Sequence, residues 1–206
     1  MQITSIERRR NKKDRISVFI DGAYSFTMPE EDYISMNLYE LKEITREQLD
    51  HIKNTVCFRA AKSEAVRFVS LKVRSEREIR NKLYEDGYDP DTVDKVIDEL
   101  KSMGYVDDRI YARKYIYDRQ KLKPKAKKML RLELAGKGIP EEIASEVLGN
   151  WEIDELSVAR ELVRKKFGKY DLKDEKIIKK VYSFLRHRGF SYELIGDLIE
   201  NLAGGT

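Results

Sequence analysis

Glycines at positions 87, 138 and 189 stand 51 residues apart, and the residues around them repeat with them. Four positions before each lies a leucine, Leu83, Leu134 or Leu185, and eight positions before lies Ile79, Leu130 or Val181. That spacing puts both apolar side chains on one face of a helix. Each glycine is followed by another large apolar residue, Tyr88, Ile139 or Phe190, and then by a helix-start signal: Asp89-Pro90, Pro140-Glu141-Glu142 or Ser191. Glycine takes the left-handed conformation that closes a helix, so each is read as a helix stop. A shorter amphipathic stretch then runs to near Leu100, Leu148 or Leu202. Upstream, Ala65-Val66-Arg67-Phe68, Ala112-Arg113-Lys114-Tyr115 and Ala159-Arg160-Glu161-Leu162 repeat a small, basic and large-apolar pattern.

The expected fold is therefore mainly α, with three tandem three-helix repeats. Stacked units of this kind bury a shared core between neighbours, which predicts an elongated, curved array. The period is longer than that of tetratricopeptide or HEAT repeats, so neither assignment fits. The predicted divisions are residues 1–55, then repeats at 56–106, 107–153 and 154–206.

The first fifty-odd residues have a different texture. Ile16-Ser17-Val18-Phe19-Ile20 and Tyr24-Ser25-Phe26-Thr27 are β-branched and aromatic runs flanking Asp21-Gly22-Ala23, and Asp-Gly between such runs signals a β-hairpin. Gln2-Ile3-Thr4-Ser5-Ile6 is expected to add a third strand, because a lone hairpin is marginal without more apolar cover. After Pro29 the pattern turns helical. Thr45-Arg46-Glu47-Gln48 has the spacing of a capping box.

Composition excludes several classes of protein. Of the 206 residues, 38% are charged, which favours a surface-rich molecule over one large core. A single cysteine, Cys57, rules out an internal disulfide framework. His51 and His187 have no zinc-ligand spacing. No apolar run approaches membrane-spanning length, and Met1 to Arg15 has no apolar signal-peptide core, so the cytoplasm is the expected compartment.

The net charge is only +4, with a pI near 8.9, but the charges are clustered. From Arg109 to Lys137, eleven cations face only Asp118 and Glu133. Tyr111, Tyr115 and Tyr117 lie among them. Aromatic residues in such a setting can stack on bases or cover a protein groove, but three-to-four spacing is what a packed helix face requires, and core is the preferred reading. Arg8-Arg9-Arg10 with Lys12, Lys13 and Arg15 form a second cluster, and Arg160, Arg164, Lys165, Lys166 and Lys169 a third. Glu85 to Asp108 is a block of nine acids, partly explained by helix-start electrostatics. Three basic patches suit an extended, anionic partner.

No catalytic constellation is legible. Gly136-Lys137-Gly138 lacks the rest of a phosphate loop and reads as a helix end. The histidines lack a relay, and Cys57, in an apolar stretch, reads as buried rather than reactive. The expected protein is not an enzyme.

Ala65 to Ser70, then Ser75-Glu76-Arg77-Glu78-Ile79-Arg80-Asn81-Lys82-Leu83 with Gly87-Tyr88, resembles the RecX family of recombinase regulators. Gly104-Tyr105-Val106-Asp107-Asp108, leading into Tyr111-Ala112-Arg113, strengthens the resemblance. The resemblance implies a cytoplasmic monomer that binds the RecA recombinase filament. It implies restraint of the recombinase, ATPase and coprotease activities in DNA repair, recombination and the SOS response. It also implies a weak or filament-associated affinity for single- or double-stranded DNA, and no cofactor, nucleotide, metal or membrane. Several weak patches would act together through avidity. The alternative is a sequence-independent DNA-binding protein with no dedicated recombinase partner. By charge and location, the candidate contacts are Arg8, Arg9, Arg10, Arg113, Lys114, Arg119, Lys125, Lys128 and Arg131. Reversing Lys125 and Lys128 is expected to weaken binding with little change in thermal stability.

Overall fold

The structure, a computed structural model, describes the backbone of residues 1–9 and 12–204. It divides into two compact units, Met1–Asp107 and Asp108–Thr206.

The first unit opens with strands β1 (Ile3–Arg9), β2 (Lys12–Ile20) and β3 (Ala23–Pro29), paired antiparallel in that order. Asp21 and Gly22 both have positive φ, +50° and +82°, the tight-turn geometry that the Asp-Gly pair signals. Alternation buries Ile16, Val18 and Ile20 on β2 and sets Val18 opposite Phe26 on β3. The apolar face is covered by α1 (Glu30–Ser35), Leu38, Ile44 and a long helical stretch. That stretch comprises α2 (Arg46–His51), a π-helical segment (Ile52–Cys57) and α3 (Phe58–Ser70). Thr45 caps α2 with the expected reciprocal bonds to Gln48.

Helix α3 packs with α4 (Glu76–Asp86) and α5 (Pro90–Ser102) as the first three-helix repeat. The second unit holds two more: α6 (Asp108–Leu122), α7 (Lys127–Gly136) and α8 (Glu141–Gly149), then α9 (Glu155–Phe167), α10 (Glu175–Arg186) and α11 (Tyr192–Gly204). The protein is thus mainly α, with three three-helix repeats after a small three-stranded sheet.

The 51-residue periodicity has one physical cause. Gly87, Gly138 and Gly189 all have φ between +82° and +94°. In each case the N–H of the following residue reaches the leucine carbonyl five positions back: Tyr88 to Leu83, Ile139 to Leu134 and Phe190 to Leu185, at 3.1–3.3 Å. The glycine N–H bonds one carbonyl further on in the helix, at 2.9 Å each time. This is the Schellman closure, and its apolar contact between the residue after the glycine and the leucine lies inside each repeat's core. Ile79, Leu130 and Val181, and the upstream Ala65, Ala112 and Ala159, are also fully buried.

The glycine turn is also a docking point. Between the two repeats of the second unit, the Ala126 N–H donates to the Arg188 carbonyl at 3.0 Å, and a Cβ on Gly189 would lie 2.7 Å from Met129 Cβ. In the first unit the sheet takes the equivalent place. The Tyr24 hydroxyl donates to the Gly87 carbonyl at 2.6 Å, and the Arg9 guanidinium lies against Gly87 itself. At Gly189 only glycine leaves room for the Met129 backbone, whereas at Gly87 the facing atoms are the end of the flexible Arg9 side chain.

Candidate binding surfaces

Arg8, Arg9 and Arg15 are engaged within the chain. Arg8, on β1, is exposed and forms an ion pair with Glu30. Arg9 donates to the Glu85 carbonyl at 3.1 Å. Arg10 lies outside the described residues. Arg15 is 4% exposed, donating to Tyr88 Oη at 2.5 Å and to Glu64 at 3.1 Å. Burial pushes the Tyr88 hydroxyl well above the ordinary tyrosine value, so it stays protonated and neutral beside that guanidinium. Arg15 therefore fastens the sheet to the first repeat. In the sequence it is grouped with the amino-terminal basic patch, since no local signal distinguishes a buried arginine from its exposed neighbours.

Much of the acidic block is also structural. Asp86 is buried and pairs with Lys82 at 2.6 Å. Asp89 caps α5, accepting from the Thr92 N–H and hydroxyl at 3.2 and 2.8 Å. Asp94 pairs with Arg80, and Glu99 with Lys62.

In the second repeat the cations separate into paired and unpaired sets. Glu133 is the centre of the first. It pairs with Lys125 and, at 3.2 Å, with Arg119, and accepts from the Tyr115 hydroxyl at 3.1 Å. The Arg119 guanidinium also donates to that hydroxyl at 3.0 Å and lies 5.0 Å from the ring. Burial raises the Tyr115 pKa above its ordinary value. Lys125 and Glu133 side chains are only 20% and 19% exposed, so reversing Lys125 would set two carboxylates together. The expectation of unchanged stability is thereby corrected for Lys125.

Other candidates pair at the surface: Lys114 with Asp118 and Arg131 with Glu141, both at 3.5 Å. Among the described residues, Arg113 and Lys128 are exposed without an ion-pair partner. Lys127, Lys128 and Arg131 line a recess of about 340 Å³ with Ser145, Leu148 and Gly149.

The tyrosines divide likewise. Tyr111 is buried and stacks on Tyr115, ring centroids 6.1 Å apart, as the core reading expects. Tyr117 departs from it: it is 54% exposed, with Lys121 Nζ 5.9 Å from its ring. Two residues beyond Tyr115, it falls on the opposite side of α6. Leu122 and Leu132 are exposed in the same repeat. The surface there mixes apolar, aromatic and cationic groups.

Cys57 is fully buried, and its thiol is pushed up to about 12, chiefly by that burial. No group of three or more histidine, cysteine, aspartate or glutamate side chains among the described residues could hold a metal ion. No helix among them is long and apolar enough to cross a membrane.

Family models cover most of the chain. The regulatory protein RecX N-terminal domain matches residues 1–45, and the first, second and third RecX three-helix domains match 61–100, 107–148 and 152–199. The chain is 32% identical to regulatory protein RecX of Clostridium acetobutylicum and 29% identical to that of Clostridium botulinum, each over 97% of this chain and 95% of the relative. A crystal structure of regulatory protein RecX aligns with a TM-score of 0.66 at 25% identity, over 96% of this chain and 98% of that one. With four domain models in order along it and relatives spanning nearly its whole length, the chain belongs to the RecX family of regulatory proteins.

Proposed function

We propose that this protein is a non-enzymatic cytoplasmic regulator that binds the RecA recombinase filament and restrains its strand-exchange, ATPase and coprotease activities in DNA repair and the SOS response. The observation that carries the reading is the set of exposed aromatic and apolar side chains in the second repeat, Tyr117 and Leu122 on α6 and Leu132 on α7, in the same repeat as the exposed cations Arg113, Lys114, Lys121 and Lys128. Apolar and aromatic anchors among cations suit a protein partner with acidic groups better than bare phosphate, because aromatic residues are enriched in protein interfaces. Family membership supplies the regulatory role and the resemblance supplies the filament. Regulation of this kind needs no cofactor, only occupation of adjacent subunits by several weak contacts acting together.

Combining Tyr117→Ala with Lys128→Glu tests the assignment. Both side chains are exposed, so the fold should persist by circular dichroism while affinity for recombinase filaments falls at least tenfold. Filament affinity equal to the parent's would move the interface elsewhere.

A second reading, sequence-independent DNA binding with no dedicated recombinase partner, is favoured by the charge partition. Residues 108–206 carry 22 Lys and Arg against 16 Asp and Glu, net +6, while residues 1–107 carry 19 against 21, net −2. Pure phosphate binding declines steeply with salt, whereas a mixed protein interface declines less.

A further inference from the structure

The third repeat handles its cations differently from the second. Between Arg160 and Arg188 it carries eleven Lys and Arg against four Asp and Glu. In this stretch Lys165 pairs with Glu161 at 2.7 Å. Among the described residues Arg160, Arg164, Lys166, Lys169, Lys173, Lys176, Lys179 and Lys180 are exposed and form no ion pair. Arg160 and Arg164 lie one turn apart on α9. On α10 the exposed positions are Glu175 in the first turn, then Lys176, Lys179, Lys180, Ser183 and Arg186, with no acid after the first. Ten residues of helix carry that row over about 15 Å.

The two helices bring their charges together. Lys166 Nζ, from α9, lies 4.2 Å from the Phe184 ring centroid on α10, and the Arg188 guanidinium lies 3.9 Å from the same ring. Arg188 Nε is buried without a hydrogen-bond partner. Like charges held together without an ion-pair partner repel, and an anionic ligand relieves that repulsion.

Lysine supplies most of this face, and lysine is depleted in protein–protein interfaces. Exposed tyrosines stand at its margins: Tyr170 at 57% exposure and Tyr192 at 65%, the latter with the Arg186 guanidinium 3.9 Å from its ring centroid. Cations tracking a backbone, with aromatic rings beside them, are how sequence-tolerant proteins hold single strands.

We propose that the α9–α10 face of the third repeat is the nucleic-acid surface of this protein, taking the phosphates of single-stranded DNA on Lys176, Lys179 and Lys180 and stacking bases on Tyr170 and Tyr192. The assignment deepens the regulator reading: one repeat meets protein, the next meets the DNA that the protein coats.

The test is fluorescence anisotropy of the full chain on a labelled oligothymidylate from 50 to 200 mM salt. It compares the parent with Lys176→Ala/Lys179→Ala/Lys180→Ala and with an equal loss of charge at Lys42→Ala/Arg46→Ala/Lys72→Ala. The third-repeat variant should lose at least tenfold in affinity at low salt, and its slope of log affinity against log salt should flatten by about 2, at roughly 0.7 for each phosphate no longer neutralised. The control should follow the parent. Equal losses in both variants, or an unchanged slope in the first, would overturn the assignment, as would competition by polyglutamate as effective as by unlabelled DNA. A parent that leaves recombinase ATP hydrolysis untouched while the two variants still differ would remove the regulator reading and keep the nucleic-acid face.

Discussion

At the scale of single residues, the glycine turn is the strongest constraint in the molecule. Gly189→Ala forces a side chain into a left-handed backbone and against Met129, so the loss should be about 2 kcal/mol or more by chemical denaturation. Gly149→Ala is the counterpart. It closes α8 with open space where the Cβ would lie, and it should leave stability equal or raise it by up to about 1 kcal/mol. A Gly189→Ala protein as stable as the parent would show that the turn relaxes freely. Lys125 and Lys128 make a similar contrast three residues apart. Lys125→Glu should cost about 2–3 kcal/mol through the Glu133 cluster, whereas Lys128→Glu should melt within about 0.5 kcal/mol of the parent. The repeat spacing singles out Gly189 in the sequence, but nothing there separates Lys125 from Lys128. Runs of lysine look alike until the fold sets a glutamate beside one of them, and Glu133 lies eight residues from Lys125, two helix turns and a loop away.

At the scale of elements, the readable parts were those governed by local chemistry. The Asp21-Gly22 turn, the Thr45 capping box and the three Schellman closures follow from residues within six positions of one another, and sequence spacing captures them. The misread parts depend on distant neighbours. Arg15 is buried because Tyr88 and Glu64 receive it, and Tyr117 faces outward because α6 uses Tyr111, Ala112 and Ile116 for its core.

Helix α4 carries a pH prediction. Burial pushes the Glu76 carboxyl up, but hydrogen bonds from Lys101 and Arg80, reinforced by their charges, outweigh it and leave the pKa below the ordinary glutamate value. A carboxyl whose folded pKa is lowered stabilises the fold above its unfolded value, and that contribution is lost as pH falls through the folded value. Thermal melts of Glu76→Gln should therefore lie below the parent at neutral pH and converge on it below about pH 4. A constant offset across that range would mean the loss is one of packing.

At the scale of the whole molecule, charge is partitioned by repeat. Residues 1–107 carry a net charge of −2 and pair arginines such as Arg15, Arg59 and Arg80 with Glu64, Asp32 and Asp94, while residues 108–206 hold the excess of positive charge. Within that second unit, the second repeat pairs many of its cations and exposes aromatic and apolar groups, and the third leaves most of its cations unpaired. The repeated fold supplies equivalent helices, and the side chains outside the repeated core distinguish what each can bind. The fold class was legible because the core repeats every 51 residues. The binding faces were legible only as a total of charge, because pairing depends on which helices meet.

The measurement closest to the central claim compares binding of the purified protein to single-stranded DNA and to recombinase filaments on the same DNA, at two salt concentrations, with ATP hydrolysis followed in parallel. A filament regulator should bind filaments more tightly than bare DNA, keep most of that affinity at the higher salt and change the hydrolysis rate. Equal, salt-sensitive binding to both with hydrolysis unchanged would contradict the account and leave a DNA-coating protein in its place.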